Sequence, residues 1–167
     1  YESSRWTDAR PYQRAAADLA TVEAKYDAFG TVPFTQLLVG MRRGDDVRWG
    51  VLDYGATSLL AVFEPDMPVV LEPPPGRAFW SELVEGASLQ RNCNEQGFNL
   101  GRGTANARIG ILGNDDDTCE SPDSRIGFGT SGSGCRGPSA NTCGNAARCG
   151  GDHGDVDIRA FGYVLVR

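Results

Sequence analysis

Two rhythms of apolar residues divide the chain. Over residues 10–26 the positions Ala15, Leu19, Val22 and Tyr26 recur at helical spacing, with Asp18 and Glu23 between them and Pro11 suited to a first turn. This spacing predicts an amphipathic helix, broken by Phe29, Gly30 and Pro33. Residues 35–41 are rich in strand formers, and residues 47–54 return with Val47, Trp49 and Val51 at alternate positions. Arg43-Gly44-Asp45-Asp46 between them has the chemistry of a hairpin turn. A Gly-Asp tip also explains the Arg43-Gly44-Asp45 triplet, an integrin-binding tripeptide in other settings, without an adhesive role. Residues 58–63 are short and apolar, either a helical turn or a buried strand. Residues 64–76 carry Pro65, Pro68, Pro73, Pro74 and Pro75 and read as an extended crossing or surface loop. Residues 78–89, with Phe79, Trp80, Leu83, Val84 and Leu89, predict a helical turn followed by a strand.

After Gln90 the character changes. Fourteen of the 22 glycines fall between Gly97 and Gly154. Only residues 107–112 and 157–167, the latter with Ile158, Phe161, Tyr163 and Leu165, have a strand pattern there, so the backbone between them is expected to be loop. A loop region this long inside a compact domain is functional, or it is pinned by bonds and ions. The class that follows is α+β in a single domain, residues 1–167, with a scaffold half (1–92) and a Cys/Gly/Asp-rich half (93–167).

Composition narrows the function classes. The apolar fraction of 40% and charged fraction of 23% are those of a globular chain. A net charge of -6, with arginines scattered and Lys25 the single lysine, repels phosphate backbones and excludes a nucleic-acid binder. No run approaches the ~20 apolar residues of a membrane-spanning helix. The opening Tyr1-Glu2-Ser3-Ser4 has neither an initiator Met nor a signal pattern, from which a processed chain or a piece of a longer one is expected.

Cysteine usage sets the compartment. Cys93, Cys119, Cys135, Cys143 and Cys149 all lie in the Gly-rich half, where disulfides restrain segments that packing does not. Their spacing lacks the Cys-x2-Cys pairs of zinc sites, and His153 is the single histidine. Five is odd. Two bridges leave one thiol over, whose expected role is a link to another chain or segment, giving a homo-oligomer. An extracellular or cell-surface location follows from the disulfides.

Two acidic runs carry the candidate chemistry. Asn114-Asp115-Asp116-Asp117, with Glu120 and Asp123, places six oxygen-bearing side chains in ten residues after a strand. Asp152-His153-Gly154-Asp155-Val156-Asp157 places three carboxylates before the last one. Crowded carboxylates repel unless solvated or neutralised, and calcium takes six to eight oxygens from irregular loops. Asp115, Asp116, Asp117, Asp152, Asp155 and Asp157 are therefore the candidate calcium ligands, and Asn114, Glu120, Asp123 and His153 the candidate ligand-binding residues. The simpler alternative is a pair of solvated polar turns. No nucleophile elbow, phosphate loop or dinucleotide fingerprint is present. Trp80, Phe98, Phe128, Phe161 and Tyr163 are candidates for a sugar-stacking platform, with core packing as the competing role.

Several stretches share their order with a known family: 24–29 (Ala-Lys-Tyr-Asp-Ala-Phe), 58–60 (Ser-Leu-Leu), 107–114 (Ala-Arg-Ile-Gly-Ile-Leu-Gly-Asn), Cys119, 126–129 (Ile-Gly-Phe-Gly) and the closing 160–167 (Ala-Phe-Gly-Tyr-Val-Leu-Val-Arg). In this order the chain resembles the fibrinogen-related domains, in particular the intelectin-type lectins. The resemblance implies an irregular α+β domain with a twisted antiparallel sheet, short helices and long disulfide-tied loops. It also implies a secreted, non-enzymatic protein binding calcium and terminal glycan groups, with Asn114 and the acids after it in the ligand loop. Two departures stand out. The family's opening cysteine and Gly-Gly-Trp strand are absent, which implies a reduced domain or a fragment. Residues 119–123 hold carboxylates but no counterpart of the family's sugar-site histidine. The expected function is an extracellular, non-catalytic recognition module with calcium-assisted glycan binding. The alternatives are a structural or adhesive matrix domain, or a carboxylate-based glycoside hydrolase.

Overall fold

A computed structural model describes residues 1–17, 19–132 and 139–167. Asp18 and Cys135 therefore lie outside the described residues. Among the described residues, two antiparallel sheets, three α-helices of four to six residues and a 3-10 turn at Ser4–Trp6 make up the fold. Chain order is α1 (Ala28–Thr31), β1 (Phe34–Arg43), β2 (Asp46–Ala56), α2 (Leu59–Phe63), β3 (Val69–Val70) and α3 (Arg77–Glu82). It continues with β4 (Asn92–Arg102), β5 (Ala105–Asn114), β6 (Ser124–Gly132), β7 (Cys143–Ala147), β8 (Val156–Arg159) and β9 (Phe161–Val166). The smaller sheet runs β2-β1-β9 and the larger β3-β4-β5-β6-β7-β8. Among the described residues no helix is long and apolar enough to cross a membrane.

The β1–β2 hairpin forms where the alternation places it, turning at Gly44 with φ of 62°. Its core face carries Leu37, Val39, Met41 and Leu52, each at most 2% exposed. Ser58 caps α2 by accepting a hydrogen bond from the Ala61 N–H at 3.1 Å. The helix then buries Leu59, Val62 and Phe63. One core joins these residues to Trp80, Leu83 and Val84 around α3 and to Phe98, Ile109, Ile111, Ile126 and Phe128 of the larger sheet. The division at residue 92 is crossed by the chain itself, because β9 leaves the Gly-rich half and pairs with β1.

Three expectations are corrected. Residues 10–26 are not a helix. Tyr12 and Lys25 form an antiparallel bridge, and Gln13 and Leu19 have positive φ. Leu19, Val22 and Tyr26 stay 44–50% exposed, so the helical stripe has no surface to bury against, and a short helix without one is unstable in water. Lys25 instead turns inward. Its ammonium donates to the carbonyls of Arg5 and Asp8 and to the Asp8 carboxylate, tying the N-terminal segment together.

The Gly-rich half, expected to be mostly loop, is mostly sheet. Its glycines line up. Gly97 pairs with Gly110, Gly110 with Gly127, and Gly127 with Gly144, so one row of four glycines crosses β4, β5, β6 and β7. A Cβ on any of them would lie 1.9–2.3 Å from a carbonyl oxygen of the adjacent strand (Val69, Ile126, Ile109 and Ile158 respectively). The strands approach along this row more closely than side chains permit, which only glycine allows. Alternation fails as a signal here because β5 is buried on both faces over nearly all of its length and β4 over residues 96–100. The expected strand at the end of residues 78–89 is also absent: after α3 that stretch is irregular.

Candidate functional site

The acidic runs serve mainly as fasteners. Asn114, 1% exposed, donates through Nδ2 to Asp116 Oδ1 at 2.7 Å and to the Thr118 carbonyl at 2.9 Å. The same Asp116 oxygen accepts from the Thr118 amide and hydroxyl, both at 3.1 Å, so it closes its own turn. Asp115 and Asp117 face solvent. Asp123 accepts from Gln90 Nε2 at 3.5 Å. This loop is held to β4 by the Cys93–Cys119 disulfide.

In the second run each carboxylate is held by a different partner. Asp152 accepts from the Leu89 amide at 2.9 Å, the Ser88 hydroxyl at 3.3 Å and the Arg77 guanidinium at 3.0 Å. Asp155 accepts from the Gly150 amide at 3.3 Å. Asp157 takes the Ser139 hydroxyl at 3.0 Å and Arg148 at 3.3 Å. His153 places Nδ1 2.9 Å from the Ala87 carbonyl and leaves 74% of its side chain exposed. Ser88, Asp152 and His153 are thus neighbours, but they do not form a nucleophilic relay. The Ser88 hydroxyl is 1% exposed, donates to the Gly154 carbonyl at 2.7 Å, and meets the His153 amide rather than its ring.

The Asp152 carboxyl sits below its ordinary value near 3.8. Partial burial pushes it up, but the Leu89 amide and then Arg77 outweigh that. A depressed folded-state pKa contributes stability that is fully present above the unfolded pKa and is lost as pH falls through the folded one. Asp152→Ala is expected to cost about 1–2 kcal/mol near neutral pH, a figure already reduced for solvent screening. Urea unfolding should show that deficit shrinking as pH falls below about 4. A deficit independent of pH would mean that the charge of Asp152 contributes nothing.

The calcium expectation can be tested on donor geometry. Among the described residues, the only three Cys, His, Asp or Glu ligand atoms within 4.8 Å of one another belong to Cys93, Glu95 and Cys119. Two of these are disulfide partners, and Glu95 is bound by Arg102 through Nε at 2.9 Å and Nη2 at 2.6 Å. Neither aspartate run gathers three carboxylates, and Asp116, Asp152 and Asp157 already hold internal donors. The arrangement does not fit a calcium ion. Glu120 is apart from both runs' fastenings, exposed on the rim of a cleft of about 500 Å³ beside the disulfide.

Among the described residues the free thiol is Cys143, while Cys149 is disulfide-bonded. Burial pushes the Cys143 thiol up to about 12, against the opposing influence of Arg125. A Cβ on Gly162 would lie 2.8 Å from its Sγ and 2.7 Å from the Phe128 ring, so β9 closes over the sulfur. Bridging to another chain through Cys143 would require lifting that strand.

The outer face of the smaller sheet is different in kind. Pairing registers set three apolar rows across it: Val51–Leu38–Leu165, Trp49–Gly40–Tyr163 and Val47–Arg42–Phe161. A Cβ on Gly40 would lie 2.4 Å from the Trp49 ring, so the indole lies flat across β1 at the one residue that leaves room. Trp49 stacks on Tyr163 with centroids 5.5 Å apart and planes at 29°, and Phe161 follows at 5.2 Å. Tyr163 is only 8% exposed and is fixed by donating to the Leu19 carbonyl at 2.8 Å, so it backs the indole. Trp49 remains 38% exposed, Val51 51% and Leu165 44%. At one end Gln36 donates to Asp53 at 2.8 Å, a hydrogen-bonding pair on the same face. Of the sequence candidates for a platform, Trp80, Phe98 and Phe128 are core, at most 2% exposed. Phe161 and Tyr163 belong here. Trp49 was marked only as a strand residue. Its signal lay in β9, whose residues are apolar at successive positions and so present rings on the face away from the core.

Compared with known proteins, the chain matches no family model, no curated protein and no solved structure.

Proposed function

We propose that this protein is an extracellular, non-catalytic recognition domain that binds carbohydrate on the outer face of its smaller sheet. The observation that carries the reading is the platform presented by Trp49, 38% exposed and backed by the buried Tyr163 with Phe161 after it. A sugar ring has an apolar C–H face and a polar rim. A flat indole held rigidly on a sheet complements the first at low entropic cost, and the amide and carboxylate of Gln36 and Asp53, two rows along the strands, face the second. The extracellular placement rests on the Cys93–Cys119 disulfide. The order of motifs shared with fibrinogen-related and intelectin-type lectins supports the same class. Because the aspartates do not converge, the sugar is read here by stacking and direct hydrogen bonds.

A glycan array followed by calorimetry tests this. Wild type is expected to retain at least one glycan class, equally well with calcium and with chelator. Trp49→Ala is expected to weaken binding by roughly 30-fold, the scale of an aromatic hot spot, with the fold unchanged by circular dichroism. A wild-type protein that retains no glycan, or a Trp49→Ala variant that binds as wild type does, removes the platform from the account.

A further inference from the structure

We propose that the sugar taken by this platform carries a carboxylate, and that Arg42 is the residue that selects it. The inference rests on the platform reading and adds the ligand's charge to it.

Arg42 is the cation at the hairpin end of this face, and Arg167, paired with Gln36, is the cation at the other end. The register partners of Arg42 are Val47 and Phe161, one row from Trp49, Gly40 and Tyr163, a step of roughly 7 Å along the strands. Its Nε donates to the Gly44 carbonyl at 3.0 Å, which anchors the guanidinium against the hairpin turn. Among the described residues Arg42 forms no ion pair. Arg48, on the opposite side of β2, is by contrast occupied by Asp46 at 2.7 Å and Glu85 at 3.6 Å. The two terminal nitrogens of Arg42 thus remain available, in the fork geometry that takes a carboxylate through two parallel hydrogen bonds.

The far end of the face carries both signs, in the row Asp53–Gln36–Arg167. Asp53, paired with Gln36, repels a carboxylate and accepts from hydroxyls. Within reach of Trp49 the nearer cation is Arg42, one row away, whereas Asp53 and Arg167 lie two rows away and face each other across Gln36. A stacked acidic sugar therefore places its carboxylate toward the hairpin turn. The protein as a whole carries a net charge of -6, so this local cation matters more. An anionic ligand is repelled at long range, and the selection has to come from short-range contacts.

The shared chemistry is a carboxylated pyranose, a uronic acid or a sialic acid, and paired probes separate the two. Galacturonic acid trimer is compared with its carboxyl-reduced form, and sialyllactose with lactose, by calorimetry on the full chain. An acidic probe is expected to bind at least 10-fold tighter than its neutral counterpart in one pair. Arg42→Gln should remove that preference and leave neutral binding unchanged, while Arg42→Lys, which keeps charge without the fork, should retain part of it. Raising salt should weaken the acidic probe alone. Equal affinity for acidic and neutral probes, with both lost in Trp49→Ala, overturns the selection by Arg42 and leaves the platform standing. Failure of all four probes to bind overturns both.

Discussion

Gly127→Ala is expected to destabilise the protein by about 3 kcal/mol, at the upper end of overpacking effects, and to lower Tm by roughly 6–12 °C. The cause is steric. The new Cβ would lie 2.2 Å from the Ile109 carbonyl oxygen and 2.9 Å from the Gly110 Cα, both backbone atoms of the paired strand. No rotamer change relieves this, and β5 and β6 have to separate. Gly30→Ala is the control, since its nearest contact would be an ordinary 3.7 Å to a Leu60 methyl, and it should be neutral or slightly stabilising. Thermal and urea unfolding of the two variants decide the matter. Near-equal stabilities would show that the glycine row is not a close approach.

Arg125→Met should be at least as damaging, at about 3–5 kcal/mol. Arg125 is fully buried in β6. Its Nε donates to the Ser131 and Gly132 carbonyls at 3.1 and 2.8 Å, Nη1 to the Thr130 hydroxyl at 2.7 Å and Nη2 to the Asn141 carbonyl at 2.8 Å. Burial lowers its pKa to about 10, partly offset by Asp157, so it remains charged at neutral pH. Methionine fills much of the volume but removes all of these donors in a place water does not reach, although the Asn141 carbonyl keeps another, the Thr130 hydroxyl at 2.9 Å. Arg125→Lys, with three donors on a shorter head, should recover part of the loss. If Arg125→Met and Arg125→Lys prove equally stable, the acceptors are satisfied some other way.

The hairpin was legible in the sequence because it has a local cause: Val47, Trp49 and Val51 alternate, and Gly44 supplies the turn. Residues 58–63 left a helical turn and a buried strand open, and the Ser58 cap decides for the helix. The larger sheet was not legible, because its glycines are required by neighbours in other strands, and a row of paired glycines is invisible before the register is known. The helix expected over residues 10–26 failed for the converse reason. Its spacing was sound, but Leu19 and Val22 had nothing to pack against. The site followed the same division. The aspartates were conspicuous as composition, yet their partners Arg77, Ser88, Leu89 and Arg148 are distributed along the chain. Phe161 and Tyr163 were visible as aromatic residues, but joining them to Trp49 requires β1 between them with Gly40 at the crossing.

That crossing also determines when the platform can exist during folding. Trp49 is presented by a hairpin made of adjacent sequence, which forms on the microsecond scale typical of such elements. Tyr163 arrives with β9, whose pairing with β1 closes a loop containing the whole larger sheet. Non-local closure of this kind is slow. Until it happens, Trp49 has no ring beside it and Gly40 lies on an open sheet edge. Recovery of ring stacking, followed through Trp49 fluorescence during refolding, should therefore lag hairpin formation and mark the last topological event of the fold.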